Sequence, residues 1–276
     1  MTKPNRLWRA LALCALAAGL TACAAQVQTT SGRAYLDKYP PAATFKANSK
    51  IDTQVREAAA IEPLLRFPAR IGLARVDKGR LSIVPQEEME KWASLAERYD
   101  GRLGEFVQVS PFIAELMKGG DIAPSFSDRQ AVRNRANNSL AEIVGTIRVT
   151  AARQHLDAVL IYEVYGKSDV DTNLLQIADL SIIGAFLLPS RKVTAVGHAQ
   201  ALLVDVRNGY PYGTASTTVD DHTYTTSASL SRTRTNTDTA TKTAAALQLI
   251  DEIEPMMDRL EVEITSLPQT AKEKTE

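Results

Sequence analysis

"HLDAVLIYEVYG", residues 155–166, and "GHAQALLVDVRNGYPYGTAS", residues 197–216, decide the fold of this chain. Leu156 to Gly166 is a short run of Val, Leu, Ile and Tyr bounded by glycine, the pattern of a buried strand. Gly197 to Gly209 interleaves Ala199, Ala201, Leu203 and Val206 with other small or apolar residues and reads as a second strand. Asn208-Gly209 is a strong turn dipeptide, because both residues tolerate a positive φ. It sends the chain back through "YPYGTASTTV" as a third strand.

Upstream, Ser127 followed by Gln130 forms a capping-box pattern. The spacing predicts a helix to about Gln154, with Leu140, Ile143, Val144, Ile147 and Ala151 on one face. His155 closes that helix at its negative end. Further upstream, Ile51, Val55, Ala58 and Ala59 share a face of a short helix that ends near Pro63. "RIGLARV" (70–76) suits a buried strand, and "RLSIV" a second strand or an extended connection. Pro85 opens a helix whose stripe is Met89, Trp92, Leu95, Ala96 and Tyr99, with Glu87 and Glu88 near its positive end. "GEFVQV" (104–109) reads as a strand and "SPFIAELMK" as a short helix from Ser110. Downstream, a Ser/Thr-rich stretch from Thr214 to Thr243 leads to a closing helix from about Ala244 to Ile264, with Pro255 inside it. Strands and helices intermix and end in a meander. The expected class is therefore α/β (α+β): a single mixed β-sheet flanked by helices, without internal repeats.

The first residues carry an address. Lys3, Arg6 and Arg9 precede an apolar core from Ala10 to Leu20, too short for a spanning helix, which needs ~20 apolar residues. Leu20-Thr21-Ala22-Cys23 resembles the bacterial lipobox, which implies cleavage before Cys23 and acylation of that residue. The other reading is an ordinary secretory peptide cut after Ala22, leaving Cys23 as a free thiol. Cys14 lies inside the signal, so the mature chain keeps one cysteine and can form no internal disulfide. Several acyl chains on one cysteine anchor stably where one does not. Ala24 follows, and the absence of an aspartate there resembles the outer-membrane sorting pattern. The expected organisation is a signal peptide over 1–22 and an acylated cysteine with flexible tether over 23–50. A periplasmic α/β domain covers 51–265, and a disordered tail 266–276. Tyr35, Leu36 and Tyr39 in the tether could also dock on the body.

Composition excludes some functions. Without its three signal cations the chain has 29 Lys+Arg against 32 Asp+Glu, and aromatics are 6%. Near-neutrality and few aromatics speak against a nucleic-acid partner. Motif chemistry is sparse. His155, His198 and His222 show no metal-ligand spacing, and no GxSxG, SxxK or Walker pattern occurs. Gly119-Gly120-Asp121 reads as a helix stop. Asp220-Asp221-His222 reads as a charged turn at a strand end, and Glu163 receives no role. The expectation is a chain that is not an enzyme and has neither metal nor cofactor.

The order of helix, "HLDAVLIYEVYG", "ALLVDVRNG" (201–209) and closing helix is similar to the core shared by the curli-export lipoprotein CsgG and the lipoprotein activators of penicillin-binding proteins. The resemblance covers about Ser127 to Ile264. It implies an outer-membrane lipoprotein that faces the periplasm and acts as an adaptor or assembly factor on an envelope protein partner. The alternative it implies is a CsgG-like oligomeric secretion channel, a homo-oligomer. In the exporter, membrane-spanning hairpins are inserted at two places where this chain also has insertions, Lys167–Val196 and Thr217–Thr243. A barrel strand must alternate apolar and polar residues. Leu180 to Leu188 does not alternate, and Thr217–Thr243 alternates weakly. The ten uncharged residues 180–189, in "DLSIIGAFLLPSRK" (179–192), are also too few to span as a helix. Two readings remain for them, a loop or short helix packed on the body or an apolar tip. For a tip, Leu180, Ile182, Ile183, Phe186, Leu187 and Leu188 would contact the membrane or a partner, with Arg191 and Lys192 suited to lipid head groups.

Overall fold

The computed structural model describes residues 25–38, 50–77, 79–117, 140–172, 191–225 and 229–266. The strands are β1 (Gln26–Val27), β2 (Ala69–Asp77), β3 (Arg80–Ser82), β4 (Gly104–Gln108), β5 (Ala158–Thr172), β6 (Arg191–Asp205) and β7 (Pro211–Thr225). They form one seven-stranded sheet in the order β1-β7-β6-β5-β2-β3, with β4 also beside β2. β2 runs parallel to β4 and β5, whereas β5, β6 and β7 form an antiparallel meander. The mixed sheet expected from the sequence is present.

β2 reads poorly as an alternating strand because both of its faces are covered, so Ile71, Leu73, Ala74 and Val76 are all buried. On one face lie α3 (Gln86–Arg98) and α6 (Leu230–Ser266). Trp92, Leu95, Leu249, Ile253 and Met256 there share a core with Leu160, Tyr162, Leu203 and Tyr212. On the other face α5 (Leu140–Arg153) packs Ile147 and Ala151 against Val159, Val204 and Val206. The short helix α4 (Pro111–Met117) lies beside α5. Lys91–Asp251 (2.7 Å) and Arg98–Glu254 (2.7 Å) tie α3 to α6 across the surface.

Two expectations need correcting. The closing helix does not start near Ala244. α6 spans 37 residues from Leu230, and the Thr-rich stretch forms its first third because Thr237 and Thr241 lie buried against the sheet, in line with Ala245. Thr241 Oγ1 donates back to the Thr237 carbonyl (2.6 Å), which satisfies its buried hydroxyl. Of Thr217–Thr243, the residues to Thr225 complete β7 and those from Leu230 are helical, in keeping with the weak alternation. Finally, the stretch read as a tether is not free spacer over its described part. β1 pairs with β7, α1 (Gly32–Asp37) follows, and the Ser31 side chain caps it by accepting from the Ala34 N–H. α2 (Lys50–Ala59) forms where expected, but none of its residues is buried, and Ile51 and Val55 stay exposed.

His155 ends α5 through its backbone. It adopts φ +55°, its N–H donates to the Ala152 carbonyl (3.0 Å), and the Leu156 N–H donates to Ala151 (3.1 Å). That pair of bonds is the Schellman closure. Ser127 and the start of the predicted helix lie outside the described residues.

Candidate functional site: the open face of the sheet

β5, β6 and β7 are each 15 residues long. They continue past the last β2–β5 pair, Val76↔Glu163, as a three-stranded blade. Successive side chains alternate between its faces. One face meets α6 closely because it is lined by small residues: Ala195, Gly197 and Ala199 are buried there. A Cβ on Gly197 would come within 2.5 Å of the Thr241 carbonyl oxygen. At the far end Arg234 Nε donates to Ser168 Oγ (2.9 Å), and its terminal nitrogen to the Ser168 carbonyl (2.8 Å).

The opposite face presents cross-strand rows: Ile161–Leu202–Thr214, Glu163–Gln200–Ser216, Tyr165–His198–Thr218, Lys167–Val196–Asp220 and Asp169–Thr194–His222. Tyr165, Gln200, Ser216, Thr218, Asp220 and His222 on it are exposed. Among the described residues α5 roofs only the first rows, and there a groove of about 390 Å³ opens. Its apolar lining includes Val76, Val144, Ile161 and Leu202. Gln200 Nε2 donates to Glu163 Oε2 (3.4 Å) at its polar side. Beyond it the Tyr165 and His198 rings stack at 5.1 Å, and His198 Nδ1 lies 3.0 Å from Thr218 Oγ1. This is a concave apolar strip bordered by a carboxylate, an amide and hydroxyls, which suits apolar side chains and a cation from another molecule.

Asp220, Asp221 and His222 are not a turn; they are consecutive residues of β7. Asp220 and His222 therefore point to the open face and Asp221 to the other, so the three cannot converge on one ligand. Among the described residues no group of three His, Cys, Asp or Glu is placed to hold a metal ion.

Two buried polar knots carry the charged groups that sequence reasoning did not single out. Glu88, expected near the positive end of its helix, is 1% exposed. Both of its oxygens accept from Arg75 Nε (3.1 Å each), and Oε2 also accepts from the Tyr162 hydroxyl (2.7 Å). Burial, then the Glu88 charge, pushes the Tyr162 phenol well above its ordinary range. Asp205, fully buried, closes the β6–β7 turn. Its carboxylate accepts from the Arg207 and Asn208 N–H groups, the Arg207 guanidinium and the Tyr212 hydroxyl (2.8 Å). Burial alone would raise the Asp205 carboxyl, but the hydrogen bonds from Arg207 and Tyr212 outweigh it and hold it below the usual value. The Asn208-Gly209 signal marked this turn correctly, and Gly209 has φ +78°. What the dipeptide cannot reveal is the load on it: Asn208 Nδ2 donates to the Glu62 carbonyl (2.7 Å), and the Tyr210 hydroxyl to that of Thr30 (2.8 Å).

Of the residues singled out from the sequence, Cys23 and the apolar run of Leu180, Ile182, Ile183, Phe186, Leu187 and Leu188 lie outside the described residues. Arg191 is the first residue of β6. Lys192 pairs with Tyr224 across the far end of the blade, and the exposed Tyr224 ring stands edge-on to His222 at 6.2 Å. Among the described residues no helix is long and apolar enough to cross a membrane.

No protein-family model matches the chain, and no curated protein matches it. Solved structures align with it over much of its length at low identity. A dodecamer of a PelC variant from Paraburkholderia phytofirmans is 14% identical, covering 70% of this chain and 93% of that one, with a TM-score of 0.28. Lipoprotein GNA1162 from Neisseria meningitidis is 16% identical over 62% of this chain and 95% of its own, at 0.25. The hypothetical protein CT253 from Chlamydia trachomatis is 10% identical over 72% and 99%, at 0.23.

Proposed function

We propose that this chain is a lipid-anchored outer-membrane protein facing the periplasm, which works without catalysis as an adaptor in envelope assembly. In this reading acyl chains on Cys23 hold it to the membrane, and the open face of β5–β7 docks a protein partner. The observation that carries the reading is the half-roofed apolar groove of about 390 Å³, with Glu163 and Gln200 beside its apolar lining. The partner would place apolar side chains in it and a Lys or Arg against Glu163. Among the described residues the two fully buried carboxylates, Glu88 and Asp205, are each committed to an arginine and a tyrosine outside the groove.

Photo-crosslinking in intact cells tests it. A photoreactive residue at Gln200 should give a discrete adduct with another envelope protein, and Leu202→Glu should abolish that adduct. An adduct that forms equally from Glu97 on α3, or survives Leu202→Glu, overturns the assignment of the groove.

A second reading, a component of an oligomeric outer-membrane channel, draws on the blade's length. From Glu163 to Thr172 it extends roughly 30 Å, similar to a hydrocarbon core. Lys167, Asp169 and Asp220 on the open face weigh against it, as do Asp238 and Lys242 on α6. Conductance in a planar bilayer would favour the channel, and a strictly monomeric detergent extract would count against it.

A further inference from the structure

β1 fixes where the chain leaves the body toward Cys23. Gln26 and Val27 pair with Thr214 and Gly213 of β7, and the Gln28 N–H donates to the Tyr212 carbonyl (2.8 Å). Arg259 of α6 donates to the Ala25 carbonyl. Below these, Thr29 Oγ1 donates to Glu263 (2.6 Å), and Glu62 accepts from Ser31 Oγ (3.1 Å) and the Arg33 N–H (2.9 Å). The Arg33 N–H is the largest influence on Glu62 and, with the Ser31 hydroxyl, holds its carboxyl below the ordinary value against the cost of burial. This segment is anchored at several independent points.

Between Ala25 and Cys23 stands only Ala24. Two Cα–Cα steps span at most about 7.6 Å. If Cys23 carries acyl chains, its backbone lies at the lipid head groups, and Ala25 is then within roughly 15 Å of the hydrocarbon boundary. No spacer separates body from bilayer. Because β1 is the outermost strand beside β7, the side of the molecule that must approach is the β7 edge.

We infer that the body sits directly on the membrane with the sheet standing on its β7 edge, so that the free edge of β7 rests in the lipid head-group layer. Over 216–225 no strand among the described residues lies on that side of β7. The His222 N–H there donates to Asp221 Oδ1 (2.7 Å), and the other outward N–H and C=O groups over 216–224, which pair with no strand among the described residues, need polar partners. Head groups and their water supply these and hydrocarbon does not, which limits the depth to the head-group layer. Asp220 and Asp221 on this strand would repel anionic lipids, so the anchor rather than charge sets the approach. In this pose α6 and the groove face sideways along the membrane, and the groove remains open to a protein. The inference rests on the reading of Cys23 as the acylated residue.

Nitroxide labels test both and separate them. The full-length acylated protein would be reconstituted in phosphatidylethanolamine/phosphatidylglycerol vesicles containing a nickel-chelating lipid. Labels would be placed at Ser216→Cys and Thr218→Cys on β7, and at Glu105→Cys on β4. Four strand spacings, about 19 Å, separate β4 from β7. Relaxation enhancement should be several-fold greater at 216 and 218 than at 105. A Gly/Ser spacer of about twenty residues between Ala24 and Ala25 should reduce it to the level at 105. Equal enhancement at all three positions, in protein whose mass proves acylation, overturns the edge-on pose while leaving the anchor intact. A mass without acyl chains, or a label that also reacts at Cys23, overturns both.

Discussion

Replacing Tyr212 with Phe removes one oxygen atom from the point where the β6–β7 turn, the Leu64–Leu65 backbone and the sheet meet. The ring is fully buried and lies 5.1 Å from Tyr210, so its packing survives the change. The hydroxyl donates to Asp205 Oδ2 (2.8 Å) and accepts from the Leu64 N–H (2.9 Å) and the Leu65 N–H (2.6 Å). Leu64 is 42% exposed, so water can replace its partner. Leu65 is fully buried, and its orphaned N–H costs about 1–2 kcal/mol. The lost bond to an ionised carboxylate adds about 1.5–2 kcal/mol, for a total near ~3 kcal/mol. With a urea m-value of about 3 kcal/mol/M, the midpoint followed by circular dichroism should fall by roughly 1 M. The effect depends on pH with a definite sign. The folded Asp205 carboxyl lies below its ordinary value, so its contribution is fully present above the unfolded pKa, near ~4, and is lost as pH falls through the folded value. Removing a hydrogen bond that lowers this pKa raises it toward the ordinary value. The gap between wild type and variant should therefore be widest above about pH 4 and narrow below it. A midpoint shift under about 0.3 M at pH 7, or a gap that widens in acid, would refute the reasoning.

Glu88→Gln leaves the half-buried Arg75 without its counter-charge, and should cost roughly 2 kcal/mol, or about 6 °C in Tm by calorimetry. Gly197→Val drives a side chain into the Thr241 carbonyl. It should lift the first third of α6 from the blade, seen as faster amide exchange over 237–245, with an overall loss of about 2 kcal/mol. His198→Ala, Asp221→Ala and His222→Ala should each change stability by less than about 0.5 kcal/mol. They should also leave the crosslink from Gln200 intact, and loss of that adduct in any of them would reveal a role for that side chain.

Elements that bury a continuous stripe could be read directly from the sequence. The Trp92–Leu95–Tyr99 stripe, the Leu156–Gly166 strand and the Asn208-Gly209 turn are each local patterns that the fold leaves intact. The blade could not be read in this way. Its upper rows, Lys167–Val196–Asp220 and Asp169–Thr194–His222, mix charge with small residues, since one face is open and the other needs little volume under α6. The first third of α6 was illegible for the complementary reason. "SRTRTNTDTATKT" has weak helix propensity, and it is helical because Thr237 and Thr241 lie against the sheet. β1 consists of two residues and exists only because β7 offers an edge. The groove depends on the blade: without its register, Ile161, Glu163, Gln200 and Leu202 are four unremarkable positions on two strands.

The most direct test is the mass of the mature chain extracted from membranes, with fragmentation of its N-terminal peptide. An anchored envelope protein predicts a chain that starts at Cys23 and carries acyl groups on that residue's sulfur and amine. A chain that starts elsewhere, or a Cys23 thiol that is free and alkylated by iodoacetamide, would contradict it.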